Sequence, residues 1–303
     1  MPPAVDEIKR ITTRLYDEAN AGNIDIFYEL LAPDFVSIGG AGFKDLEGPD
    51  GFAGLYKTFL EAFPDLTFRV EDVIAENDLV LARGTLGGTH EGSFFGMAEP
   101  THQYISWTGS AFFRFNDAGL VDRRWQDWDG VAVMQQVGAI PGPYAPKAPA
   151  PTPPSNPGPV TSAAEARAIN ERLVEEVWNA GNADVLDELF HPEASSPSAP
   201  DLPRGPEAVR QILAMMKTAF PDYHLRIDRV VAEDNKLGAQ FTQGGTHEGE
   251  LMGIAPTGRT VEWTETGILR FEGGKIVETW FESDILGLMQ QLGVGETAGA
   301  AAG

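Results

Sequence analysis

The sequence predicts an α+β protein made of two similar domains in tandem, and three observations carry that expectation. The chain is written twice. Gly88-Thr89-His90-Glu91-Gly92 returns as Gly245-Thr246-His247-Glu248-Gly249, and Phe63-Pro64-Asp65 returns as Phe220-Pro221-Asp222. Asn20-Ala21-Gly22-Asn23 returns as Asn179-Ala180-Gly181-Asn182, and Met134-Gln135-Gln136-Val137-Gly138 as Met289-Gln290-Gln291-Leu292-Gly293. A spacing of 155 to 159 residues is too long for a solenoid repeat and fits a duplicated domain. Within each copy helical periodicity comes first and strand-like runs follow. Finally, nine of the 22 prolines crowd into Ala139–Ala163 between the copies. The expected division is therefore domain 1 over 1–138, a Pro-rich linker over 139–163, domain 2 over 164–294 and a flexible tail over 295–303.

Each copy opens with a helix. In the second, Thr161 or Ser162 can cap it, and Ile169, Leu173, Val177 and Trp178 recur at helical spacing. Asn179-Ala180-Gly181-Asn182 stops it, a short helix covers 183–190, and a polar, Pro-rich loop leads to a third helix near Gly205-Pro206-Glu207. The first copy repeats this plan over 8–19, 24–31 and 49–62. After Phe-Pro-Asp the pattern changes to strands over 225–232, 237–247, 260–271 and 275–284, with Glu272-Gly273-Gly274 as a hairpin turn. An antiparallel sheet is expected, covered on one face by the helices, with a pocket between the layers.

Composition excludes several partners. Forty-five acids against 22 bases give a net charge of −23, which repels nucleic acid and anionic membranes alike. The chain has no Cys, and its five His are scattered without helical metal-ligand spacing. It shows no membrane-length apolar run, and its start lacks the pattern of a secretory leader. Nor is there a phosphate-binding Gly loop, a dinucleotide fingerprint or a Gly-x-Ser-x-Gly elbow. A cytoplasmic protein without metal or organic cofactor is expected.

The run Gly245–Arg259, then Arg270-Phe271, Gly274–Glu278 and Gln290–Gly293, resembles the SnoaL-like polyketide cyclase group of the NTF2-like superfamily. The first copy departs from it by an inserted Glu99 and by His102-Gln103 in place of Gly258-Arg259. The resemblance implies two cone-shaped folds, each a curved sheet under helices. It implies a hydrophobic, polyketide-like small molecule as partner and cyclisation, isomerisation or dehydration as chemistry. It also implies that the fusion supplies an intramolecular pseudo-dimer, with a further homo-oligomer left open. By alignment, the family's acid/base aspartate falls on Phe281 and Gln126, and its histidine on Gly267 and Ala111, so both copies lack the pair.

Candidate site residues follow from strand alternation. Val261, Trp263, Glu265, Gly267, Leu269 and Phe271 share one face, apolar except for Glu265, and a carboxylate so placed is a candidate general acid or base. The first copy has Gly109 there. On the last strand Lys275, Val277, Thr279, Phe281 and Ser283 share a face, and in the first copy Asp122, Arg124, Gln126 and Trp128. Arg124 and Gln126 can hold a carbonyl or enolate oxygen, whereas Asp127 reaches the pocket only through a bulge. His90 and His247 are catalytic candidates or structural rings at a strand end. Trp263, Phe281, Thr279, Leu269, Trp107 and Phe113 are expected to line the pockets. The rival readings are a non-catalytic binding or chaperoning protein, or one catalytic copy beside a structural one.

Overall fold

The structure, a computed structural model, describes residues 3–38, 44–96, 98–140 and 158–294. Its internal contacts divide the chain into two units, Met1–Pro146 and Lys147–Gly303. Most of the linker expected over 139–163, and the whole tail from Gly295, lie outside the described residues.

The first unit runs α1 (Val5–Asn20), α2 (Ile26–Leu30), β1 (Leu31–Ile38), β2 (Leu46–Glu47), α3 (Gly48–Ala62), β3 (Thr67–Glu76), β4 (Leu79–Thr89), β5 (Tyr104–Phe115), β6 (Val121–Trp128) and α4 (Gly130–Gln136). Its sheet order is β2-β1-β6-β5-β4-β3. The second unit runs α5 (Ala163–Arg172), a π-helical turn (Leu173–Asn179), a 3-10 turn (Ala183–Val185), α6 (Leu186–Leu189), β7 (Phe190–Ser195), α7 (Pro206–Ala219), β8 (His224–Glu233), β9 (Lys236–Thr246), β10 (Thr260–Glu272), β11 (Lys275–Ser283) and α8 (Ile285–Gln291). Its order is β7-β11-β10-β9-β8.

Both units are α+β, and each sheet is mixed rather than purely antiparallel. β1 pairs in parallel with β6, and β7 in parallel with β11. Alternation hides these two strands in the sequence because they are short and carry Pro33 and Pro192. α5 starts on Ser162, whose hydroxyl accepts from the Glu165 N–H while the Glu165 carboxylate accepts from the Ser162 N–H, a capping box. The proline in the first turn of α3 and of α7 suits the helix start, where no N–H is needed.

The repeated motifs prove to be corner clamps. Asn20 of α1 donates to the Phe68 carbonyl at 2.9 Å and accepts from its N–H at 2.8 Å, and Asn179 does the same with Leu225 at 3.1 and 2.8 Å. Asp65 accepts from the Thr89 hydroxyl and N–H, as Asp222 does from Thr246, which ties the α3 and α7 ends to β4 and β9. Gln136 and Gln291 pair with the backbones of Ser106 and Glu262. A Cβ on Gly92 or Gly249 would sit 2.1 Å from the carbonyl of Glu61 or Thr218, so these glycines permit the close approach. The polar repeats thus hold helices to sheet in both units.

Bulges bend each sheet. Register shifts fall between Val70 and Asp72, Ile227 and Arg229, Arg114 and Phe115, and Arg270 and Phe271. The last two correct the simple alternation of the final strands. Val121 and Ile276 turn into the cores, at 1% and 0% exposure. Asp122 leaves the pocket face and pairs with Arg114 at 2.8 Å. The extra residue adds local twist and curvature, so the sheet cups beneath its helices. No described helix is long and apolar enough to cross a membrane.

Candidate functional site

Each unit holds a cavity between helices and sheet, of about 100 Å³ in the first and about 270 Å³ in the second. An apolar cavity of about 150 Å³ accepts benzene, so the first encloses less than a whole ring and the second has room for a larger, fused-ring molecule.

In the second unit Trp263, Leu269, Thr279 and Phe281 line the wall together with Glu265. Glu265 lies between Phe241 on β9 and Ser283 on β11 in the ladder. The Gln243 amide donates to Glu265 Oε2 at 3.4 Å and to Ser283 Oγ at 3.3 Å, and Tyr223 donates its hydroxyl to Gln243 Oε1 at 2.5 Å. Tyr223 and Gln243 are 3% and 5% exposed, so the arrangement is shielded from water. Burial, with the Glu265 charge adding to it, pushes the Tyr223 phenol well above its usual value, so it stays a proton donor. Lys217 holds the ring from behind, with its ammonium 5.6 Å from the centroid and donating to the Tyr223 carbonyl at 2.9 Å. Across the cavity Asn170 is 1% exposed, and its Oδ1 has no hydrogen-bond partner among the described residues. It offers an acceptor to a ligand hydroxyl.

The first unit replaces this arrangement as a block. Leu66, Leu86, Gly109 and Trp128 occupy the places of Tyr223, Gln243, Glu265 and Ser283, in the same register. Arg124 and Gln126 stand where the second unit has Thr279 and Phe281. Arg124 donates to the Gln126 side-chain oxygen, and to Ser37 Oγ at 3.1 Å. Its guanidinium lies 5.1 Å from the Phe52 ring centroid and 5.8 Å from that of Phe113. Burial pulls this guanidinium below its ordinary value against the opposing effect of Tyr16, and burial raises the Tyr16 phenol.

Among the sequence candidates, Arg124, Gln126 and Trp107 line the first cavity, and Glu265, Trp263, Phe281, Thr279 and Leu269 the second. Phe113 stays outside the lining and packs against Tyr16 at 6.0 Å. His90 and His247 line neither cavity. Both are 0% exposed, 5.3 and 5.4 Å from the rings of Phe63 and Phe220, and accept through Nδ1 from the N–H of Thr101 and Thr257. They belong to the corner clamps because the strand end turns them inward. Asp127 borders the first cavity, but the register from Gly109 to Arg114 is unbroken. The bulge needed to swing its carboxylate round is absent there, and Asp127 alternates to the face opposite Gln126. Sequence reasoning missed Tyr223, Gln243, Ser283 and Asn170. The signal was the mismatch of each with its counterpart in the other copy.

The model of the SnoaL-like polyketide cyclase family matches residues 10–137 and 168–292. Aklanonic acid methyl ester cyclase AcmA of Streptomyces galilaeus is 32% identical over 126 residues, covering 40% of this chain and 87% of that protein. Nogalonic acid methyl ester cyclase of Streptomyces nogalater is 28% identical over 120 residues, covering 38% and 89%. Among solved structures, TsrD from Streptomyces laurentii is 30% identical, with a TM-score of 0.42, covering 44% of this chain and 98% of that one.

Proposed function

This chain belongs to the SnoaL-like polyketide cyclase family, and on that premise we propose that its second unit carries out cofactor-independent proton transfer on a hydrophobic, polyketide-like ketone. The observation that carries the reading is Glu265, set in an apolar cavity and held by Gln243, with Ser283 opposite it in the ladder. Two relatives are named as cyclases of the methyl esters of aklanonic and nogalonic acid, and an esterified acid fits a substrate with few charges and a carbonyl beside an acidic carbon.

In this reading Glu265 takes the proton from the carbon next to a ketone. The electron pair moves onto the ketone oxygen, and the Ser283 hydroxyl donates to that enolate. Ser283 accepts from Gln243, so its own proton is left for the ligand. The enolate carbon then attacks a second carbonyl, and the new alkoxide takes the proton back from Glu265. Gln243 and Tyr223 act as positioning residues, since they touch the carboxylate or its holder. Trp263 and Phe281 supply the walls. The pairing of the two units within one chain, and any further homo-oligomer, belong to the same proposal; small-angle scattering of the full chain checks the first and its mass in solution the second.

The test needs no knowledge of the natural substrate. 2-Tetralone, two fused rings with an acidic α-carbon, is incubated with the full chain in deuterated water and its exchange followed by proton NMR. Exchange is expected to accelerate with the native chain and to fall by about 10²–10⁴-fold in Glu265→Gln, with 2-tetralone binding retained. Binding without accelerated exchange, or with exchange equal in both proteins, favours the rival reading of a ligand-carrying protein.

A further inference from the structure

We propose that the cavity of the first unit is a separate binding site for a flat, singly charged carboxylate of benzoate type. This goes beyond the proton-transfer reading, which concerns the other unit.

The donors in and beside this cavity outnumber the acceptors. Arg124 Nε is buried and has no hydrogen-bond partner among the described residues. Every partner of the guanidinium among the described residues is neutral: the Gln126 oxygen, the Ser37 hydroxyl, the Tyr16 phenol and two aromatic rings. No carboxylate among the described residues pairs with it. Because the Gln126 oxygen accepts from Arg124, its amide NH₂ is left as a further donor. A recess of about 20 Å³ beside the cavity shares Gln126 and Trp128 with it and adds Ser37 and Lys44, which is exposed and so is not part of the sequestered charge. In a chain of net charge −23 this guanidinium has no carboxylate paired with it among the described residues, and Asp127, which borders the cavity, alternates to the opposite face.

Leaving a guanidinium buried without a counter-ion is costly, and a ligand that supplies the missing charge relieves the cost. The planar fork of Arg favours a carboxylate or phosphate. The walls choose between them. Tyr16 stacks on Phe68 at 4.0 Å, and Phe59 stacks on Trp107 at 6.3 Å. One sequestered cation among aromatic rings suits a monoanion with a flat apolar body, and a phosphate dianion would bring more charge than the site balances. The volume, about 100 Å³, is below the roughly 150 Å³ of a benzene-holding cavity, so a single ring is enclosed only in part and nothing larger fits. The second unit has Thr279 and Phe281 at the places of Arg124 and Gln126, so it lacks these donors.

The full chain is titrated calorimetrically with benzoate and with benzamide, which has the same shape and no charge, using the native sequence, Arg124→Gln and Arg124→Lys. Benzoate is expected to bind saturably at one site per chain, with benzamide at least tenfold weaker. Arg124→Gln should weaken benzoate at least tenfold, and Arg124→Lys should keep part of the affinity. Absent saturable binding at millimolar benzoate, equal affinity for benzamide, or undiminished binding by a folded Arg124→Gln each overturn the proposal. If Arg124→Gln does not fold, the benzoate-to-benzamide ratio on the native chain and the effect of Gln126→Leu decide. Because Glu265→Gln lies in the other unit, benzoate binding by that variant should be native, which separates failure here from failure of the proton-transfer reading.

Discussion

Phe281 lies directly across the β10–β11 ladder from Gly267, and its ring fills the space that a Cβ on Gly267 would take, with ring carbons at 2.5 and 2.7 Å from that point. The two residues are a fitted pair, since the ring can lie flat on the sheet only over a glycine. Gly267→Ala is therefore expected to push the ring towards the cavity at a cost of about 1–3 kcal/mol. In Phe281→Ala the same glycine substitution should be nearly free. A double-mutant cycle by urea denaturation checks it, and additivity within about 0.3 kcal/mol would remove the claimed contact.

Gln243 joins a phenol, a carboxylate and a hydroxyl, so its replacement by the leucine found at position 86 strands several buried groups. Gln243→Leu is expected to destabilise the second unit by about 1–3 kcal/mol. Tyr223→Phe added to it should recover part of the loss by removing the stranded hydroxyl. Differential scanning calorimetry on the single and double variants gives the comparison. Exchange of 2-tetralone should fall further in Gln243→Leu than stability alone explains, because Glu265 loses its orienting donor.

Burial holds His90 and His247 below the ordinary imidazole value near 6.5. The unfolded chain then takes up these protons at a higher pH than the folded one. Stability is full above about 6.5 and declines as pH falls from there through the folded values, with a slope of at most about 1.4 kcal/mol per pH unit for each ring. Urea midpoints measured from pH 7.5 down to 5.5 should fall, and His247→Gln should flatten the slope of the second unit. An unchanged slope would place the titrating group elsewhere.

Asp65 and Asp222 show the same sign in a more acidic window and for a different cause. Hydrogen bonds from the N–H and hydroxyl of Thr89 and Thr246 hold both carboxyls below the usual aspartate value. Their contribution is present above pH 3.8 and disappears as pH falls through the lowered folded values. Asp222→Asn should cost about 1 kcal/mol at neutral pH, the low end for a bond to a charged acceptor because the site is open to water. The difference from the native chain should shrink in acid, as read from thermal melts at pH 7 and pH 2.

The fold was legible in the repeated residues. Asn20 and Asn179, Asp65 and Asp222, and Gln136 and Gln291 recur because each makes the same bond between a helix and a strand backbone, and a corner tolerates little variation. The parallel strands β1 and β7 were not legible, since a strand interrupted by proline carries no alternation to read. Glu265 could be seen as an acid on an apolar face. Its holders could not, because Tyr223, Gln243 and Ser283 come from other elements and only pairing brings them together. For His90 and His247 the sequence left two readings, catalytic or structural, because a titratable side chain in a repeated motif signals a shared job without saying which; the structure buries both rings away from the cavities.

The π-helical turn at Leu173–Asn179 has a lasting effect on how the duplicate is built. Ile8, Thr12 and Leu15 of α1 correspond to Ala166, Asn170 and Leu173, yet Asn20 corresponds to Asn179, one residue further along. The added residue is swallowed inside the wider π turn, so the side chains on either side keep their directions and both ends stay moored. Trp178 stands in the place of Ala19, and each faces the cavity of its own unit. A helix of a duplicated domain can thus grow by one residue while the bonds that moor its end to the sheet stay as they were.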